Sequence, residues 1–320
     1  MRPEKPISNM DAELKMLLSQ LHKLPEAQKR QILEDLERRE RLQEKELAQN
    51  TFMGFVNRVW PEFIGGRHHS IMARAFERVA NGECKRLIIN MPPRHTKSEF
   101  ASYMLPAWFL GKYPNKKIIQ CSNTAELAVG FGRKVRNLID SAQYGKIFPG
   151  VHLRQDSKAA GRWAVNRTGE YFAIGVGGAV TGKGADLLII DDPHSEQEAM
   201  LGNTSVYDKT FEWYSSGPRQ RLQPGGAIII VMTRWAKKDL TGQVLGISAS
   251  RGGDDWEVIE FPALMPSGNP LWPEYWKQEE LEAIRAELSV SKWQAQYQQN
   301  PTSEEGAIIK RDMWQVWEAD

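Results

Sequence analysis

Residues 86–98 read RLIINMPPRHTKS, an apolar run, Leu87 to Ile89, that empties into a loop ending Thr96-Lys97-Ser98. A strand that passes into a loop ending in Lys-Ser and then into a helix has the layout of a phosphate-binding P-loop. In such a loop consecutive backbone N–H groups, here those of His95 to Ser98, point at the β-phosphate. Lys97 is expected to reach the β/γ-phosphates, and the Ser98 hydroxyl to hold Mg²⁺. Against the pattern GxxxxGKS, Met91 and Thr96 stand where glycines belong. Pro92 and Pro93 lack N–H groups, but they precede the required donors and stiffen the loop. Thr96 is the sharper departure, because a β-branched residue is strained wherever φ must be positive. Alone, the segment also fits a strand, a turn and an ordinary helix start.

A second stretch reduces that ambiguity. LLIIDD (187–192) is a fully apolar strand ending in two carboxylates, a Walker B pattern. The chemistry needs one acid, Asp191, to hold the Mg²⁺ water shell. A second acid, just beyond, orients and deprotonates the water that attacks the γ-phosphate. Asp192 stands there with one methylene less than Glu, so Glu196 and Glu198 are reserve candidates for the base. P-loop and acids must then meet across the C-terminal edge of a parallel sheet. A further apolar strand, GGAIIIVMTRW (225–235), brings Thr233 and Arg234 to the same edge. Such a pair can sense the γ-phosphate, although an arginine in this position equally serves as a salt bridge to a neighbouring loop.

The chain has 320 residues and a net charge of +2, which leaves room for a sizeable core and excludes a globally basic nucleic-acid binder. Its two cysteines, Cys84 and Cys121, show no CxxC spacing. No apolar run approaches the ~18 residues of a membrane span, and the N-terminus lacks a signal-peptide core. A soluble, intracellular protein without a membrane partner is expected.

Leu14, Leu17, Leu18 and Leu21, then Ile32, Leu33 and Leu36 beyond Pro25, give two short amphipathic helices. They form a helical appendage over residues 1–50, with a linker near Gln49 to Thr51. Residues 52–82 read as one helix. His68 and His69 point about 100° apart on it, and no acid or cysteine cluster joins them, so no metal site is expected there. After the P-loop, a helix carrying Phe100, Tyr103, Met104 and Trp108 is bent by Pro106. KKIIQCS (116–122) is a second buried strand. From Thr124 a helix turns Leu127, Val129, Val135, Leu138 and Ile139 inward. Residues 131–183 hold nine Lys/Arg against three Asp/Glu, either a solvated face or a phosphate-facing surface. A hairpin is expected around residues 166–169 and a fifth strand within residues 256–264. GVGGAVTGKGAD is a flexible loop presenting one cation, Lys183.

The segments MPPRHTKSE, FPG (148–150), GVGGAVTGKGADLLIIDDP, RLQPGGAIIIVMTRWAKKDLTGQVL, LWPE and QYQQNP resemble, in order and spacing, the large terminase subunit of tailed bacteriophages and prophages. That family comprises the ATP-driven motors that package viral DNA. The resemblance covers about residues 55–305. It implies an α/β fold, a P-loop NTPase of the ASCE (RecA-like) type with a mainly parallel central sheet flanked by helices. The N-terminal appendage is then residues 1–50, the ATPase core 51–265, and a helical to irregular C-terminal segment 266–320. The resemblance makes Lys97 and Ser98 the Walker A lysine and metal ligand, Arg94 the loop arginine aimed at the γ-phosphate, and Asp191 with Asp192 the Walker B pair. Pro93, His95 and Thr96 complete the nucleotide loop. Thr233 falls at the coupling motif, and His69 in the stretch that contacts adenine. Lys183 takes the place of an arginine finger acting on a neighbouring subunit's site, without the planar fork of Arg.

The function so implied is ATP- and Mg²⁺-dependent translocation of double-stranded DNA into a procapsid. The implied partners are the portal protein, the small terminase subunit and further copies in a ring, in the cytoplasm of an infected bacterium. Too few residues follow the fifth strand for a nuclease domain, so no DNA cleavage is expected. Two other functions compete with it. Thr96 and Asp192 would suit an ATP-binding switch with little turnover. A helicase-like translocase would need a second lobe.

Overall fold

The computed structural model describes residues 25–197 and 205–302. The leucine stripe at residues 14–21, Glu198 and most of the expected C-terminal tail lie outside them. Among the described residues the α-helices of six residues or more are α1 (Glu26–Asn50), α2 (Phe52–Val59), α3 (Arg67–Ala80), α4 (Leu105–Lys112), α5 (Ala125–Ile139), α6 (Ala142–Ile147), α7 (Ser205–Ser216), α8 (Leu240–Arg251) and α9 (Gln278–Glu287). The strands are β1 (Arg86–Asn90), β2 (Lys117–Ser122), β3 (Leu153–Ala159), β4 (Arg162–Val165), β5 (Glu170–Gly175), β6 (Ala185–Asp191), β7 (Leu222–Met232) and β8 (Glu257–Glu260).

These eight strands form one sheet in the order β3-β4-β5-β2-β6-β7-β1-β8. From β5 to β8 every pairing is parallel, while β3 and β4 continue the sheet antiparallel. The fold is therefore the expected α/β type. The two central motif-bearing strands, β1 and β6, are not neighbours, because β7 lies between them. Strands buried on both faces read as unbroken apolar runs, and they alternate between two cores. Leu87, Ile89, Leu187, Ile189, Ile229 and Val231 join one core with α2 to α5. Ile88, Leu188, Ile190, Ile228, Ile230 and Met232 join the other, with Tyr214 of α7 and Leu240 and Val244 of α8. No helix among the described residues is long and apolar enough to cross a membrane.

The chain divides into a unit of residues 1–47 and a unit of residues 48–320. Within the first, α1 leaves Leu33, Leu42 and Leu47 exposed and carries Lys29–Glu26 and Arg41–Glu37 ion pairs along its surface. Within the second, the expected linker is instead structured. Ala48 is buried and its carbonyl accepts from Trp108 Nε1 at 3.2 Å. Gln49 donates to the Ile147 carbonyl, and Thr51 caps α2 by accepting from the Gly54 N–H.

Three local expectations are corrected. Residues 52–82 are two helices, because Pro61, Gly65 and Gly66 interrupt the apolar spacing between Val59 and Arg67. The segment bent at Pro106 begins as a π-helix, Glu99–Met104, whose closing bond runs from the Leu105 N–H to the Phe100 carbonyl. The wider turn comes just ahead of a residue that has no N–H to donate. Leu127, expected inward, is 54% exposed on the first turn of α5, while Val135, Leu138 and Ile139 are buried as read.

Candidate active site

The C-terminal ends of β1, β7 and β6 share one edge of the sheet because the three strands are parallel neighbours. The ladder runs one step beyond them, with Met91 N–H on the Met232 carbonyl and Asp192 N–H on the Val231 carbonyl. The P-loop therefore leaves β1, and the two acids leave β6, on either side of the end of β7.

The loop holds two non-glycine residues in the left-handed region, Arg94 at φ 61° and Thr96 at φ 69°. Thr96 thus adopts the backbone that the glycine of the usual pattern adopts freely. Arg94 is exposed at the tip of the loop. His95 is fully buried, with Nδ1 2.8 Å from the Pro93 carbonyl oxygen and its ring stacked at 5.9 Å on Trp276. Burial pulls its pKa down to about 4.

Lys97 and the acids converge. The Lys97 ammonium is 2.9 Å from Asp192 Oδ2. The Ser98 hydroxyl donates to Asp191 Oδ1 at 2.9 Å, and the Ser102 hydroxyl, one turn later, donates to Asp191 Oδ2 at 2.8 Å. Asp191 is 2% exposed. Burial, and then the adjacent Asp192 charge, push its carboxyl up to about 7 against the opposing pull of Lys97 and the two hydroxyls. Asp192 turns out of the strand at φ 41°, and its Oδ1 accepts the Thr233 N–H at 2.9 Å. The Thr233 hydroxyl donates to the Met91 carbonyl at 3.0 Å. Thr233 therefore ties the acid on β6 to the root of the P-loop. Arg234 points elsewhere: its guanidinium pairs with the fully buried Asp239 at 2.9 Å, and its N–H donates to Gln299 Oε1 at 3.1 Å. The salt-bridge reading holds for Arg234.

These groups open into a cleft of about 440 Å³ lined by Pro93, Lys97, Asp192, Glu196 and Thr233, with Glu287, Leu288 and Tyr297 among its other lining residues. Glu196 faces the same cleft. The Ser98 hydroxyl and Asp191 carboxylate form a hard-oxygen donor pair. That pair fits Mg²⁺, which takes one or two protein oxygens and completes its shell with water and phosphate.

Two expected site residues stand away from the cleft. His69 is fully buried, with Nδ1 accepting the Gly66 N–H at 2.8 Å and Nε2 2.6 Å from Thr96 Oγ1. Its ring packs between Phe63, Phe100 and Trp272. It has neither a free edge nor a free face for adenine, so the expected base contact is corrected to a contact with the P-loop. Lys183 lies two residues before β6, over the Phe172 ring at 5.5 Å. Phe172 is level, through Ile119 of β2, with Leu188 of β6, and Lys183 is not among the residues that line the cleft.

The sequence reading missed Ser102 and the Thr233–Asp192 bond. A serine four residues after Ser98 on a helical turn was the available signal for Ser102; nothing local marked the Thr233 amide.

No family model and no curated protein matches the chain. Among solved structures it is similar to a variant ATPase domain of the large terminase from Thermus phage P74-26, at 16% identity and TM-score 0.49, over 75% of this chain and 95% of that one. It is also similar to the HK97 bacteriophage large terminase, at 14% identity and TM-score 0.46, over 70% of this chain and 48% of that one. A third is the large terminase of a thermophilic bacteriophage in complex with ATP-gamma-S, at 10% identity and TM-score 0.42, over 68% and 50% of the two chains. The chain thus spans about half the length of these last two proteins. In the order and spacing of its motifs, the chain resembles the large terminases of tailed phages.

Proposed function

We propose that this chain is a Mg²⁺-dependent ATPase, the motor part of a phage large terminase that moves double-stranded DNA into a procapsid. The observation that carries the proposal is the convergence of Lys97, Asp192 and Thr233 on one cleft at the end of β1, β7 and β6, with the Ser98–Asp191 pair bonded directly beside it. Lys97 holds the β- and γ-phosphates, and the loop N–H groups from His95 to Ser98 receive the β-phosphate. Arg94, exposed at the loop tip, reaches the γ-phosphate. Ser98 and Asp191 hold Mg²⁺, which when bound offsets the phosphate charge and polarises the oxygen that leaves. Asp192 Oδ takes the proton of the attacking water, with Glu196 in reserve, while its other oxygen stays on the Thr233 N–H. Thr233 passes a change at Asp192 to β7 and to the root of the P-loop. Lys183, on the glycine-rich loop ahead of β6, acts on a neighbouring copy in a ring.

The cationic excess over residues 131–183 supports a DNA-facing surface. The motif resemblance supports the portal protein and small terminase subunit as partners, in the cytoplasm of the infected host. The test is phosphate release from Mg-ATP with and without linear double-stranded DNA. Hydrolysis that DNA accelerates and that Lys97→Ala abolishes is expected; no hydrolysis under either condition contradicts the proposal.

A further inference from the structure

Thr96 is a β-branched residue in the left-handed region, at φ 69°, where the backbone of a non-glycine residue costs about 1–2 kcal/mol. It is held there by a directed chain of hydrogen bonds. His69 Nδ1 accepts the Gly66 N–H at 2.8 Å, so the ring proton sits on Nε2 and is donated to Thr96 Oγ1 at 2.6 Å. The Thr96 hydroxyl, accepting from His69, spends its own proton on the His95 carbonyl at 2.6 Å. A trans peptide sets its C=O and N–H in opposite directions. Tying the His95 carbonyl back toward His69 therefore turns the Thr96 N–H away from that tether, toward the phosphate side of the loop. The imidazole is fixed among Phe63, Phe100 and Trp272. Burial, and then the neighbouring His95, keep it neutral with a pKa lowered to about 3.

We propose that His69 and Thr96 are a positioning pair that replaces the missing loop glycine: the ring braces a strained threonine so that the 95–96 peptide presents its N–H to a nucleotide phosphate. This rests on the reading of the cleft as an ATP site. Neither side chain touches a substrate atom; both act through the peptide.

The test is titration calorimetry of the full chain with Mg-ADP across two positions. His69→Asn keeps an acceptor for Gly66 but falls short of Thr96, whereas His69→Gln carries an amide donor to the place of Nε2. His69→Asn and Thr96→Val are each expected to weaken Mg-ADP about tenfold, the size of one lost hydrogen bond, and His69→Gln to recover most of that loss. In a Thr96→Gly background, where φ 69° needs no brace, His69→Asn is expected to cost less than about twofold. Equal costs of His69→Asn with Thr96 and with glycine at 96 overturn the pairing while leaving the nucleotide site intact. A wild-type chain that binds no Mg-ADP overturns the reading of the site and the proposal with it. Where a His69 variant is poorly folded, position 96 alone carries the test: weaker Mg-ADP binding by Thr96→Val, which keeps the strain and loses the brace, than by Thr96→Gly, which needs none, supports the brace, and equal binding overturns it.

Discussion

Lys97 Nζ lies 2.9 Å from Asp192 Oδ2, so the cation assigned to the phosphates and the carboxylate assigned to the attacking water are ion-paired with each other. Under the proposed function, a γ-phosphate entering this cleft would compete with Asp192 for the ammonium, and the pair would link occupancy of the site to availability of its base. Lys97 is 6% exposed, so its charge is poorly screened and matters to both partners.

Lys97→Ala is expected to weaken Mg-ATP binding at least about a hundredfold, because it removes a buried charge-assisted contact to phosphate. Equilibrium binding of a fluorescent ATP analogue measures this directly. Lys97→Arg is expected to restore little, since its planar fork suits neither the Asp192 geometry nor a point-charge site.

Thr233→Val keeps the backbone N–H on Asp192 and removes the hydroxyl bond to the Met91 carbonyl. The expected result is near-normal Mg-ATP affinity with turnover reduced about tenfold, the cost of one lost buried hydrogen bond near 1 kcal/mol or slightly more. Thr233→Ser is expected to retain most of the activity. Steady-state kinetics of the two variants check both.

Acid should unfold this protein through its histidines. Burial holds His68, His69 and His95 at about 2, 3 and 4 in the folded chain, below the ordinary value of ~6.5 in the unfolded chain. The unfolded chain therefore binds more protons below that value, and stability falls as pH falls. Each ring is expected to cost on the order of 1 kcal/mol between pH 6.5 and 5.5, while Asp191, raised to about 7, returns about as much as one ring over that range. Urea midpoints across that range measure the net fall, and His68→Phe should flatten it by about half.

Trp163 stacks on Tyr171 with centroids 4.8 Å apart and donates Nε1–H to the Gly132 carbonyl at 3.0 Å, fastening α5 to the antiparallel end of the sheet. Trp163→Ala is expected to destabilise by roughly 3–5 kcal/mol, read as a shift in the unfolding midpoint.

The buried strands β1, β2, β6 and β7 were legible in the sequence because two-sided burial leaves unbroken apolar runs, and β1, β6 and β7 each led into residues of the site. Residues 153–159, LRQDSKA, gave no such signal: β3 is an edge strand, with Arg154, Gln155 and Asp156 exposed, so nothing in its pattern demanded a sheet. The helix over 52–82 was read through its break because the face of Ile71, Met72, Ala75, Phe76 and Val79 was extended back over Pro61, Gly65 and Gly66. Side-chain direction was the other limit. The sequence brought Thr233 and Arg234 to the same edge, but not the buried Asp239 that claims Arg234. Likewise, a histidine 27 residues ahead of Thr96 could be placed near the nucleotide, but only the packing of Phe63, Phe100 and Trp272 turns it toward Thr96 instead.

The central claim is that Lys97 and the Asp191/Asp192 couple act on one triphosphate. Asp192→Asn tests it most directly, with Mg-ATP affinity and single-turnover hydrolysis measured on the same preparation. The variant is expected to bind Mg-ATP as tightly as the wild type or severalfold tighter, because Lys97 loses its competing carboxylate, and to hydrolyse it about 10²–10⁴-fold more slowly. Unchanged hydrolysis would remove Asp192 from the reaction and pass the base to Glu196, and unchanged affinity and hydrolysis in Lys97→Ala as well would contradict the shared site altogether.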